Sequence, residues 1–274
     1  MKEISQILSY TLPVLYLAVL FIYYLIFSGK NKTLENKTTL FLFLLLSFHS
    51  LEIVLRHVSL HTIPLSSAHD AWSFLAYSIL FVYMIIEMSL NNRGSGLFIL
   101  TLAFFFELIS SFYTNWEPET NELLRNPTFA IHASMAITGY TALSLSAVYA
   151  LMYLLQNRNI KEHRLGNLYT QLPPLMYLES MSIRSVIIGI ILLGIGVLLG
   201  HLQAQKLIGD FWPNDLKVII TDVIWILYVA GYIISKIQHW NGKKMAWLSV
   251  SGFMILIIGG GLIIYFSNSF HRFF

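Results

Sequence analysis

The 274-residue sequence contains no cysteine, which excludes disulfides, thiolate metal centres, thiol redox chemistry and a covalent CxxCH haem attachment of its own. Charge is also scarce: Asp, Glu, Lys and Arg make up 11% of the chain, against about a quarter in soluble globular domains. A net charge of +3 is too small to argue for nucleic acid. There is no P-loop, no GxGxxG after a strand, no HExxH and no nucleophile elbow, so a hydrolase or a nucleotide enzyme has no support. What the chain has is apolar side chains, 56% of it, the composition of an integral membrane protein.

A bilayer core takes about 20 apolar residues as a helix. Segments of that kind fall at 8–28, 38–56, 71–90, 97–113, 128–156, 185–205, 217–235 and 245–266. They predict an all-α polytopic membrane helix bundle of about eight transmembrane helices, one integral domain over residues 1–274. The first segment is longer than a signal h-region and lacks an A-x-A site, so it is expected to be a span. Assigning alternate loops to opposite sides puts 11 of the 17 Lys and Arg on one side. The positive-inside rule then places both termini outside. On the inner side lies the longest loop, 163–184, where Pro173 and Pro174 precede a short amphipathic stretch expected to form an interfacial helix. Gly189, Gly194, Gly196 and Gly200 in the sixth span are the small residues that allow close helix approach in lipid.

Most of the histidines fall on the outer side under this topology: His57, His61, His69, His132, His201 and His271. Neutral imidazole is an axial ligand for iron. His132 lies about one turn inside the fifth span and His271 just beyond the eighth, at similar height, with the aromatics Phe211 and Trp212 in the outer loop "QKLIGDFWPNDLK". Two imidazoles beside an aromatic platform suit a planar tetrapyrrole whose iron takes two axial nitrogens. Plainer readings stay open: either histidine could bond a neighbouring helix, Trp212 could be an interfacial anchor, and Asp215 could simply cap the seventh span. His57, His61 and His69 read as solvated loop residues. Glu52 and Arg56, four apart on the second span, are expected to pair, and Asp222 and Glu107 to face the bundle rather than lipid.

Nine positions run in register from the sixth span into the seventh: Gly200, Ala204, Gly209, Phe211, Trp212, Asp215, Lys217, Trp225 and Tyr228. This frame resembles the tryptophan-rich outer signature of the cytochrome c assembly, or haem-handling, membrane proteins of the CcsA and HemX type. Further stretches agree in the family's order. "IPLSSAHDAWSFLAYSI" is similar to its P-L-T-N-x-Y-E loop, with Asp70 at the Glu, and "LPPLMYLE" to its L-P-x-L-x-x-L-D entry to a span. "IHASMAITGY" is similar to its L-H helix, and "FHRFF" to its C-terminal histidine, so the resemblance covers about residues 38–274.

The resemblance implies His132 and His271 as the outer haem and metal ligands, Tyr140 as the partner aromatic of His132, and Phe211 and Trp212 over the haem face. It also implies an ordering role for Asp215 and brings Trp225 into the cofactor site. The cofactor implied is haem b, held without covalent attachment. The function implied is cytochrome c biogenesis in a bacterial cytoplasmic (inner) membrane, multi-pass in the lipid bilayer, with a second membrane assembly subunit and apocytochrome c as partners and no nucleic acid. On its own the chain is not expected to be an enzyme, though it could be one component of a haem lyase. Gln203, Ile208 and Asn214 stand at tryptophan places, Leu216 and Val218 replace Pro and Glu, and Ile233 stands near an inner histidine ligand of the large synthetases. These departures bring the chain closer to HemX-type members. They carry two further expectations: a membrane regulator whose basic loop 157–184 docks a cytoplasmic tetrapyrrole-synthesis enzyme, or a degenerate subunit of an electron-transfer complex.

Overall fold

The computed structural model describes residues 2–29, 32–62, 65–90, 93–114, 116, 127–164 and 166–266, and all regular structure among them is helical. Eight long helices follow the eight expected spans in order. They are α1 (Lys2–Phe27), α3 (Thr38–Leu60), α4 (Ala68–Leu90), α5 (Gly96–Phe112), α6 (Pro127–Lys161), α8 (Leu175–Ile208), α9 (Leu216–Ile237) and α10 (Lys243–Phe266). Short helices α2 (Lys32–Glu35) and α7 (Asn167–Gln171) lie in the connections. Seven of the long helices have the length and hydropathy to cross a bilayer, and α5 is an apolar helix of 17 residues. The chain is a polytopic helical membrane protein. The stretch after Pro173 and Pro174 is not the separate interfacial helix expected there but the start of α8: Pro174 is its N-cap, and the helix runs unbroken for 34 residues because nothing between Leu175 and Ile208 interrupts its hydrogen bonding.

Contacts divide the chain into two compact units, residues 1–125 with 156–173, and residues 126–155 with 174–274. In the first unit α1 packs on α3 and α5, and α4 packs on α3 and α5, closing a four-helix ring. Leu42, Ile79, Leu80, Ile99 and Leu100 form a fully buried apolar layer in it. Polar clusters lie to either side. In one, the Glu87 carboxylate accepts from Tyr23, from Tyr83 at 2.8 Å and from Thr39 at 3.2 Å, and Arg93 donates to Thr38 at 2.8 Å.

The other cluster departs from the expected pairing. Arg56 donates from Nε to Asp70 Oδ1 at 2.8 Å across α3 and α4, while Glu52 accepts from Ser9 of α1 and faces His69. Four residues on one helix can pair on a free surface, but here the neighbouring helices offer closer partners in lipid. His69 is likewise no solvated loop residue: it is 1% exposed, because α4 begins at Ala68 and carries the ring inward. Glu107 is fully buried in the ring, as expected of a carboxyl that avoids lipid.

The second unit gathers α8, α9, α10 and the first 29 residues of α6. Glycine sets the approach of α6 to α8: a Cβ at Gly139 would stand 2.6 Å from the Leu193 backbone nitrogen, and one at Gly196 2.8 Å from the Ala136 nitrogen. Gly194 turns the other way and carries the Trp225 indole, whose Nε1 donates to the Ile190 carbonyl at 2.9 Å. Ser146 of α6, Ser182 of α8 and Ser249 of α10 form a buried hydroxyl chain with both steps at 3.2 Å, the interhelical hydrogen bonding that replaces the hydrophobic effect within lipid.

Candidate functional site

The site lies in the second unit, where α8 ends and α9 begins. Gly209 terminates α8 with φ of 81°, a left-handed conformation open to glycine at no steric cost. The Trp212 N–H then donates to Asp210 Oδ1 at 3.0 Å, an Asx turn that folds the loop back. Asp215 starts α9 as its N-cap, its carboxylate accepting from the Lys217 N–H at 2.8 Å. The plain capping role therefore describes what Asp215 does in the fold, and through it the loop is fixed at both ends.

On this frame Phe211 and Trp212 meet edge to face at 5.0 Å. Trp212 is 69% exposed, so its indole presents an open face. Beneath it lies His201, stacked on Phe211 at 5.1 Å and edge-on to Trp212 at 5.7 Å. His201 Nδ1 donates to the Phe211 carbonyl at 2.9 Å, and Nε2 lies 3.1 Å from Asp222 Oδ1 on α9. With both nitrogens engaged, His201 is a brace for the plate rather than a ligand.

His132 is held differently. Its Nδ1 is 2.7 Å from the Gly196 carbonyl, and its ring lies against Gly200, where a Cβ would come within 2.7 Å of Cε1. A carbonyl only accepts, so Nδ1 carries the hydrogen and Nε2 keeps its lone pair. Among the described residues nothing bonds Nε2. A backbone carbonyl that fixes the Nδ1–H tautomer is the usual support behind a metal-ligating Nε2. His132 stands a little over one turn inside the start of α6, and the glycine pair of α8 gives it its orientation.

Of the other expected site residues, Tyr140 and Trp225 pack against the buried core of Leu143, Val186, Leu193, Ile224 and Tyr228. Both stand one or more turns deeper than the plate, as lining of the helix interface. His271 lies outside the described residues. His201 and Asp222 were not singled out as a site from the sequence; the one available signal was an acid inside an apolar span, whose partner a linear pattern does not reveal. Among the described residues no three His, Asp or Glu side chains come together to hold a bare metal ion. A porphyrin brings four nitrogens of its own and asks the protein only for axial ligands, a need that His132 Nε2 fits.

The fold and this site define a multi-pass helical membrane protein that presents a tautomer-fixed imidazole and an aromatic plate close to a span boundary. Residues 60–271 match the family model described as cytochrome C assembly protein, and the chain belongs to that family. Its relatives include the cytochrome c biogenesis protein CcsA of Prochlorococcus marinus subsp. pastoris, 24% identical, with 90% of this chain and 88% of that protein covered. CcsA of Guillardia theta is 25% identical over 71% of each chain, and that of Chlorella vulgaris 25% identical over 76% of each. The match takes in all the described residues of the candidate site.

Proposed function

We propose that this protein handles haem as cargo during cytochrome c assembly, holding it at the outer membrane face between His132 and the Phe211–Trp212 plate. The observation that supports this most directly is the 2.7 Å hydrogen bond from His132 Nδ1 to Gly196, which leaves Nε2 as the ligating nitrogen. His271, at the C-terminus, is the second axial ligand in this reading, and the bound form is haem b, not covalently attached. The chain's own work is to offer one oriented imidazole and to keep an indole face at the height of the lipid headgroups, where an amphipathic ring with two propionates is at home. Haem itself supplies the iron that the imidazole ligates. Partners consistent with this role are an apocytochrome c as acceptor and a second membrane subunit, in a bacterial cytoplasmic or plastid membrane.

The test is the visible spectrum of the detergent-purified protein. A Soret band that falls in His132→Ala and in His271→Ala, and returns in His132→Ala when imidazole is added, supports the reading. Stoichiometric haem with unchanged spectra in both variants overturns it.

A further inference from the structure

The four-helix ring of the first unit holds a second collection of ionisable groups that haem handling does not use. We propose that the Glu52–His69 pair is a buried proton-binding site, filled from the cavity at the α3–α4 end of the ring and continued inward by Ser73, His49 and Tyr16.

His69 Nδ1 lies 3.1 Å from the Ser110 carbonyl, with the Ser110 hydroxyl at 2.8 Å. The Thr114 hydroxyl stands 3.2 Å from the same nitrogen; a carbonyl only accepts whereas both hydroxyls can take either role, so an Nδ1–H suits all three neighbours, and in that neutral ring Nε2 is a bare lone pair. That Nε2 is buried, has no hydrogen-bond partner among the described residues and stands 3.8 Å from Glu52 Oε1. A lone pair facing a carboxylate oxygen inside a membrane is unfavourable on both sides, and one proton between them removes the conflict. The Ser9 hydroxyl reaches both the Ser5 carbonyl, at 3.1 Å, and Glu52 Oε1, with a single hydrogen to give. A proton on Glu52 lets Ser9 satisfy Ser5 while accepting from the carboxyl, so the extra proton has a place at either end of the pair.

Access and continuation are both present. Glu52, His69 and Ser73 line a cavity with about 20 Å3 of room for water-sized molecules, enough for one water to span the 3.8 Å gap. Half-buried His57 and Asp70 stand at its rim. Inward, Ser73 donates to Glu107 Oε2 at 3.0 Å and therefore accepts from His49 Nε2 at 2.8 Å. The Tyr16 hydroxyl bonds His49 Nδ1 at 2.8 Å, and Glu107 Oε1 has no partner among the described residues, a second position open to a proton. The titratable and charged groups facing the pair are Tyr16 from α1, His49, Arg56 and His57 from α3, Asp70 and Tyr77 from α4, and Glu107 from α5. The relay stops at the apolar layer of Leu42, Ile79, Leu80, Ile99 and Leu100, so it loads and releases protons on one side only.

The experiment uses the whole chain in lipid bilayers with 15N-histidine and 13C-carbonyl serine. His69 is identified by the proximity of its Nδ1 to a serine carbonyl, and its nitrogen shifts are followed with pH, while infrared difference spectra record protonated carboxyl bands. The expected result is conversion of His69 from the Nδ1–H tautomer to the doubly protonated ring, with a carboxyl band that is lost in Glu52→Gln or Glu107→Gln. Proteoliposomes should show no proton leak above lipid alone. A His69 ring that keeps one tautomer throughout, with carboxyl bands independent of pH in the unmodified protein, overturns the proposal even if neither variant folds. A transmembrane leak abolished by Glu52→Gln overturns the one-sided relay.

Discussion

His201 stands between two acceptors, 2.9 Å from the Phe211 carbonyl and 3.1 Å from Asp222 Oδ1, so one ring fastens the plate to α9. Asp222→Asn removes the charge from this link. A hydrogen bond to a charged group contributes about 1.5–3 kcal/mol, so the variant should melt at lower temperature. Trp212 emission, isolated by difference against Trp212→Phe, should shift to the red as the plate loosens. His201→Phe, which keeps the stacking and loses both bonds, should move both readouts the same way.

Gly200 allows the His132 ring to rest on α8, and a methyl group there meets the ring at 2.7 Å. Gly200→Ala should turn the imidazole away from Gly196 and lower haem occupancy several-fold. Protein yield and helix content should hold, because the ring is a side chain that can swing aside. Soret absorbance per protein in matched preparations checks it.

Gly139 differs in kind, since its neighbour at 2.6 Å is the backbone of Leu193. Backbone cannot rotate out of the way, so Gly139→Ala should separate α6 from α8 and destabilise by about 1–3 kcal/mol, the usual range for overpacking. Gly260 has nothing within 4 Å among the described residues, and Gly260→Ala should be neutral or slightly stabilising. Thermal unfolding of the two variants side by side gives the comparison.

Asp70 and Arg56 are paired at 2.8 Å with side chains 14% and 6% exposed. Asp70→Asn leaves the guanidinium without its carboxylate, and breaking such a pair typically costs about 3–5 kcal/mol. Lower detergent resistance is expected. Asp70→Glu should recover part of the loss, which separates charge from size.

Where α6 ends in an exposed loop, Arg158 of its last turn bonds Glu162 at 2.8 Å and Arg164 approaches the same carboxylate at 3.0 Å. The hydrogen bond from Arg158 holds the Glu162 carboxyl below the usual carboxylate range, with the charge of Arg164 helping. A depressed folded value means that the ordering is fully present above the unfolded value and is lost as pH falls through the folded one. Proteolysis in this loop should therefore accelerate on acidification in the wild type. Glu162→Gln should be cut quickly at every pH.

The eight long helices were legible because apolar length is a local property, and each expected segment reappears with its ends moved by a few residues. The largest shift is at α8, which begins ten residues earlier than expected, since polar Glu179 and Arg184 lower the hydropathy without breaking the helix. Partners were not legible. Arg56 chose Asp70 from another helix over Glu52 from its own, and His69 entered the core, because both outcomes depend on which faces meet. His132 was read from its position near a span end, whereas its tautomer follows from a carbonyl 64 residues away in sequence. His201 belongs to the same category: its two bonds join α8, the loop and α9, and no spacing within one segment encodes that.

α8 is longer than a membrane core is thick. At about 1.5 Å per residue its 34 residues reach about 51 Å, well beyond a hydrocarbon slab of about 30 Å. The apolar run 185–205 matches the slab by itself, so residues 175–184 stand clear of it, and there Glu179 clasps the Gly242 N–H at 2.6 Å. The helix thus runs unbroken from that contact to the plate at its head. How far Trp212 rides above the acyl chains is then set by lipid thickness, and thicker bilayers draw it down toward the headgroups.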